Sequence, residues 1–117
     1  MRFNRTRRTR RGRRMYESNR NIGTTILKQL GSNKFITMTG AKNFRVDEHG
    51  SLTFNIGSGA KKGINTVRII LTPRDTYDVE FYKIRGVNVK LITTITNVYA
   101  SELRSVFTNI TGFYTSL

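Results

Sequence analysis

The sequence predicts an α+β domain: an antiparallel five- to six-stranded meander sheet with an N-terminal and a C-terminal helix packed on one face, preceded by a disordered basic arm. Three observations lead there. Two segments, one near 18–30 and one beginning near Asn97, carry apolar residues at helical spacing. Between them, short runs alternate apolar and polar residues and are separated by turn residues. These runs succeed one another without intervening helical segments, which favours neighbouring antiparallel strands over βαβ crossovers.

Each element has its own local signal. Glu17-Ser18-Asn19 offers polar helix-capping residues, Ile22, Ile26, Leu27 and Leu30 follow at helical spacing, and Gly31 closes the helix. Its narrow apolar stripe suits a helix lying on a sheet. The run from Lys34 to Met38 reads as a short strand ending at Gly40. Phe44 and Val46, the turn Asp47-Glu48-His49-Gly50, and then Leu52, Phe54 and Ile56 form a hairpin pattern. The Gly-rich loop 57–63 leads to Val67, Ile69 and Leu71. Thr72-Pro73-Arg74-Asp75 turns the chain into Tyr77, Val79 and Phe81, and Arg85-Gly86 turns it again before Val87, Val89 and Leu91. The last helix places Tyr99, Leu103, Val106, Phe107 and Ile110 on one face and ends at Gly112. The sheet face away from the helices should then carry Arg68, Asp78, Glu80, Asn88 and Lys90, a mixed-charge surface.

Length and composition bound the function. A chain of 117 residues accommodates one small domain, assigned to 16–117 behind an arm at 1–15. No cysteine is present, so disulfides, thiolate catalysis and Cys-based zinc sites are excluded, and a single histidine excludes His-rich metal sites. The longest apolar run, Ile69-Ile70-Leu71, is far shorter than the roughly 18 residues of a membrane span. No apolar stretch follows the N-terminal arginines, so no secretory signal is expected. These features predict a soluble intracellular or virion protein with no membrane partner and no cofactor.

The charge is concentrated. The formal net charge is +14, from 21 Lys and Arg against 7 Asp and Glu. Residues 2–14 hold Arg2, Arg5, Arg7, Arg8, Arg10, Arg11, Arg13 and Arg14 and no acid. Eight mutually repelling arginines with Phe3 as the sole large apolar residue cannot bury enough surface to offset ordering, which predicts a disordered arm. Guanidinium forks hold phosphate oxygens bidentately and stack on bases, so an all-arginine arm points to the phosphate backbone of DNA or RNA. Such an arm offers no geometry for reading base edges, and its affinity should fall with salt by a log–log slope of roughly −0.9 per phosphate contacted.

Other constellations are weaker. Gly57, Gly59 and Gly63 with Lys61 and Lys62 resemble a phosphate cradle in composition, but the loop leads into a strand and lacks the Walker pattern. It reads as a flexible connection whose lysines make secondary backbone-phosphate contacts. Glu80-Phe81-Tyr82-Lys83 puts Glu80 and Lys83 on opposite strand faces, unlike a nuclease Glu-x-Lys pair. Asp78 and Glu80 are instead expected to pair with Arg68 or Lys90. His49 falls at a hairpin tip with no nucleophile in view, and no catalytic triad can be named. Tyr82, beside Lys83 and Arg85, has the flanking charge of a base-stacking residue, with a sheet-covering role as the equal alternative.

The strings TILKQLGSNKFITMTGAKNF (25–44), GINTVRIILTPRDTYDVEF (63–81) and VYASELRSVFTNITGFYTSL (98–117) resemble a group of small uncharacterised proteins of bacteriophages and prophage-like elements. The closing Thr111-Gly112-Phe113-Tyr114-Thr115-Ser116-Leu117 is the most specific part. The resemblance implies a mobile-element setting in the bacterial cytoplasm or the virion and carries no functional residue across. Within it the expected function is non-specific nucleic-acid binding without catalysis. Two other readings stay open: an inhibitor of a host protein acting through the polar sheet face or Phe113-Tyr114, and a minor virion protein neutralising packaged genome.

Overall fold

The computed structural model describes residues 22–47 and 50–115. The arginine-rich arm, the capping residues 17–19, His49 and the last two residues lie outside the described residues. Helix α1 covers 22–30, α2 is Ser32–Thr39, and α3 is Leu103–Thr111. The strands are β1 (Lys42–Val46), β2 (Ser51–Asn55), β3 (Thr66–Leu71), β4 (Tyr77–Arg85) and β5 (Asn88–Val98). They form one antiparallel sheet in sequential order, the meander expected from the short connections.

The helices cover one face of this sheet. Ile26 and Leu30 of α1 and Leu103 and Phe107 of α3 are fully buried with Leu52, Phe54, Val67, Ile69, Val79 and Phe81 from the strands. Phe35 of α2 joins the layers. Its ring meets Phe54 edge-on with centroids 5.5 Å apart, and Phe107 at 5.0 Å.

The 34–38 segment is helical, not a strand. Its β-branched and aromatic residues suggested extended chain, but burial of Phe35 and Thr39, one turn apart on the same side, decides the conformation. Gly31, at φ 123°, turns the chain out of α1 and starts α2.

The two later helices end alike. In FITMTG (35–40) and FTNITG (107–112), the Thr hydroxyl donates to the Phe carbonyl four residues back, at 2.7 Å in both. The same oxygen accepts the backbone N–H two residues on, from Ala41 at 3.2 Å and Phe113 at 3.1 Å. Gly40 and Gly112 then adopt the left-handed conformation, and their N–H groups reach Ile36 O and Thr108 O.

A second departure lies in β5. The expected inward set Val87, Val89 and Leu91 is exposed, by 97%, 62% and 50%. A bulge explains it: Phe81 faces Thr93, but Tyr82 faces Leu91, so one extra residue of β5 slips the alternation. Thr93 and Ile95 point toward the helices, while Leu91 and Val89 lie on the other face opposite Tyr82 and Ile84. A further bulge near Asn97, at φ 57°, continues the strand to Val98. The last helix therefore begins after Asn97, with a 3₁₀ turn at Ala100–Glu102 leading into α3, and Tyr99 stays outside the core. Edge strand β1 carries an equivalent irregularity at Asn43, so both sheet edges are kinked, which opposes strand addition.

Candidate nucleic-acid interface

The register separates charge along the strands. On the face away from the helices, Arg45, Thr53, Arg68, Glu80 and Thr94 form one row across the sheet. The carboxylates gather at or beyond this row. Arg68 donates to Glu80 Oε1 at 3.3 Å, to Asp47 Oδ2 at 3.1 Å and to Ser51 Oγ at 3.2 Å. Asp47 also accepts the Ser51 hydroxyl and, at 3.1 Å, the Ser51 N–H. Partial burial works against the Arg68 guanidinium, but the hydrogen bond and charge of Asp47 and the charge of Glu80 outweigh it and hold its pKa above the usual value. Asp78 accepts the N–H of bulged Asn97 at 3.2 Å, and Asp75 lies in the 72–76 turn. Glu80 pairs with Arg68 as expected. Asp78 does not, and Lys90 meets neither.

At the opposite end the charges are positive. The row Lys42–Asn55–Thr66–Tyr82–Leu91 marks the boundary, and among the described residues no acid lies on its far side within the strands or their connections. Lys61 and Lys62 occupy a 3₁₀ turn, Lys61–Gly63, between β2 and β3. The Lys83 stem passes over that turn: a Cβ at Gly63 would lie 3.2 Å from its Cε. Lys61 runs over Gly112 at the C-terminal end of α3, where the helix dipole favours a cation. Lys83 faces Lys90 across the β4–β5 hairpin, and Arg85 faces Asn88.

Four of the folded residues proposed from sequence, Lys61, Lys62, Lys83 and Arg85, therefore lie at one end of the molecule. Tyr82 does not join them. It sits on the other sheet face and donates its hydroxyl to Glu80 Oε1 at 3.0 Å. Burial, then the Glu80 acceptor and its charge, raise the Tyr82 pKa, with Arg68 opposing. This anchoring beside a carboxylate disfavours base stacking. The eight arm arginines lie outside the described residues.

Sequence reasoning placed Lys90 and Asn88 on the carboxylate face, and the bulge moves both. The adjacent apolar pair Leu91-Ile92 interrupts the alternation and is the signal for that slip. Asn65 also went unnoticed. Its amide donates to Ile84 O at 2.7 Å and accepts Ile84 N–H at 2.9 Å, extending the β3–β4 pairing by a side chain.

Among the described residues, no helix is long and apolar enough to cross a membrane. Searches of family models, curated proteins and solved structures find no match to this chain.

Proposed function

We propose that this chain is a nucleic-acid-binding accessory protein of a bacteriophage or mobile element. The arginines of residues 2–14 hold the phosphate backbone, and the cationic end of the folded body supplies a second contact. The separation of charge carries this reading: the strands place acids at one end and Lys61, Lys62, Lys83, Arg85 and Lys90 at the other. A surface built only for solubility would intersperse the two signs. A polyanion would approach by the cationic end, which holds no acid among the described residues, in preference to the other, where carboxylates stand beside Arg45, Arg68 and Arg74. The bacteriophage setting rests on the resemblance alone.

A binding titration of the full chain and of a chain lacking 2–14 against single-stranded DNA, duplex DNA and RNA at two salt concentrations tests the proposal. The full chain should retard all three, with a duplex slope of roughly −5 to −7 if about six to eight phosphates are engaged. The shortened chain should keep a weaker, salt-sensitive affinity that charge-reversed Lys61, Lys62 and Lys83 abolish. Retention that is unchanged by both alterations would refute it.

A further inference from the structure

We propose that the β4–β5 hairpin is a two-stranded ribbon that enters the major groove of B-form DNA, with Arg85 and Asn88 at the base edges. This deepens the reading above, which it presupposes, by adding sequence discrimination and a choice of DNA over RNA.

The hairpin outruns the rest of the sheet. The last β3 pairing with β4 is Thr66 to Tyr82, and Asn65 holds Ile84 by its side chain. Beyond Ile84 the two strands have only each other. Arg85-Gly86 on one side and Val87-Asn88 on the other, at about 3.3 Å per residue, give roughly 7 Å of free tip, which together with the long Arg85 side chain spans a major-groove depth of about 8.5 Å. Two strands about 4.8 Å apart, with side chains, fit a groove about 12 Å wide. The deep, narrow major groove of A-form RNA does not admit such a ribbon.

The chemistry of the helix-side face matches that occupant. Arg85 and Asn88 are exposed and directly paired at the tip, with Lys83 and Lys90 paired behind them. Arginine and asparagine are the side chains that hold guanine and adenine edges bidentately, and lysines one step back are placed for phosphates. Gly86, at φ 58°, makes the first central position of the tight turn, and Val87 at the tip is 97% exposed. The opposite ribbon face, with Ile84, Val89 and Leu91, carries no charge.

The experiment uses the full chain and a random-sequence 20-base-pair duplex pool, chosen at roughly twice the ~10-base-pair helical repeat so that a whole turn is available. Selection should enrich a short motif. Against a scrambled duplex, wild type should prefer the enriched one by at least about fivefold, the lower end expected for one bidentate base contact. An RNA duplex of the same sequence should bind no better than the scrambled DNA. Arg85→Lys, which keeps the charge and loses the fork, and Asn88→Ala should each erase the preference for the enriched duplex over the scrambled one. Enrichment of no motif, retention of the preference by both variants, or an RNA preference overturns the ribbon assignment. Loss of the preference in Val89→Ser/Leu91→Ser alone, with Arg85→Lys and Asn88→Ala unaffected, would assign the ribbon to a protein contact and equally overturn it. Retained binding without preference leaves the broader proposal standing, whereas no binding to any polynucleotide ends both.

Discussion

Phe35 and Phe107 meet edge to face at 5.0 Å, and each stands four residues before a Thr-Gly helix end of the same construction. The pairing joins two termini through one contact. Each buried threonine hydroxyl satisfies a helix carbonyl and the N–H that leaves the helix, groups that an α-helix end otherwise leaves without partners.

That geometry sets a stability expectation. Thr39→Val and Thr111→Val retain shape but remove a hydroxyl hydrogen-bonded on both sides, so each should cost about 1–3 kcal/mol. Thr→Ser at either site keeps the hydroxyl and should cost less. Urea unfolding with an unchanged m-value is the measurement. A loss below a few tenths of a kcal/mol in the valine variants would show that the caps do not hold the helix ends.

The Asn65–Ile84 contact makes a different kind of prediction. Its two hydrogen bonds sit where β3 ends and the free hairpin begins. Asn65→Ala should speed amide exchange at Ile84 and through the hairpin tip, while protection in the β2–β3 core stays near wild type. Asn65→Asp should loosen the hairpin further, because a carboxylate would face the Ile84 carbonyl oxygen without a proton to donate. Uniform loss of protection across the sheet would mean the contact supports the whole domain.

Arg68 connects the β1–β2 turn to strands β3 and β4 through Asp47, Ser51 and Glu80. The side chains of Arg68, Asp47 and Glu80 are 33%, 38% and 21% exposed, so solvent screens the pairing substantially. Arg68→Met should cost about 1 kcal/mol at low ionic strength, and the difference from wild type should shrink as salt is added. Thermal or urea unfolding at two salt concentrations distinguishes this from a packing loss, which would be indifferent to salt.

The meander and both terminal helices were legible because Tyr77, Val79 and Phe81 alternate cleanly and Ile22, Ile26 and Leu30 recur at one helix face. The exceptions share a cause. In the 34–38 segment local residue preference favoured a strand, and only the meeting of Phe35 with Phe54 and Phe107 makes the helix the better arrangement. In β5, a bulge after Leu91 exchanges the two faces, an event governed by pairing with β4 and marked in sequence only by consecutive apolar residues. The cationic end was half legible for the same reason. Lys61, Lys62, Lys83 and Arg85 could be picked by type, whereas Lys90 and Asn88 depend on which way the bulged strand faces.

Stability should decline at alkaline pH for reasons centred on Tyr77 and Tyr82. Burial raises the Tyr77 pKa; the Gln29 side chain partly offsets this and Asp75 adds to it. Burial also raises Tyr82, together with its Glu80 acceptor. In the unfolded chain both phenols release protons near pH 10, while the folded protein still retains them. The unfolded state then binds fewer protons than the folded one, so stability falls as pH rises. The contribution is fully present below about pH 10 and is lost as pH climbs through the raised folded values. Unfolding free energy measured from pH 7 upward should be level on this account until about pH 10 and then drop, and Tyr82→Phe should make the drop shallower. Tyrosinate absorbance of the folded protein should rise at higher pH than in urea. An equally steep decline in Tyr82→Phe would show that the Tyr82 hydroxyl has the same proton affinity folded and unfolded.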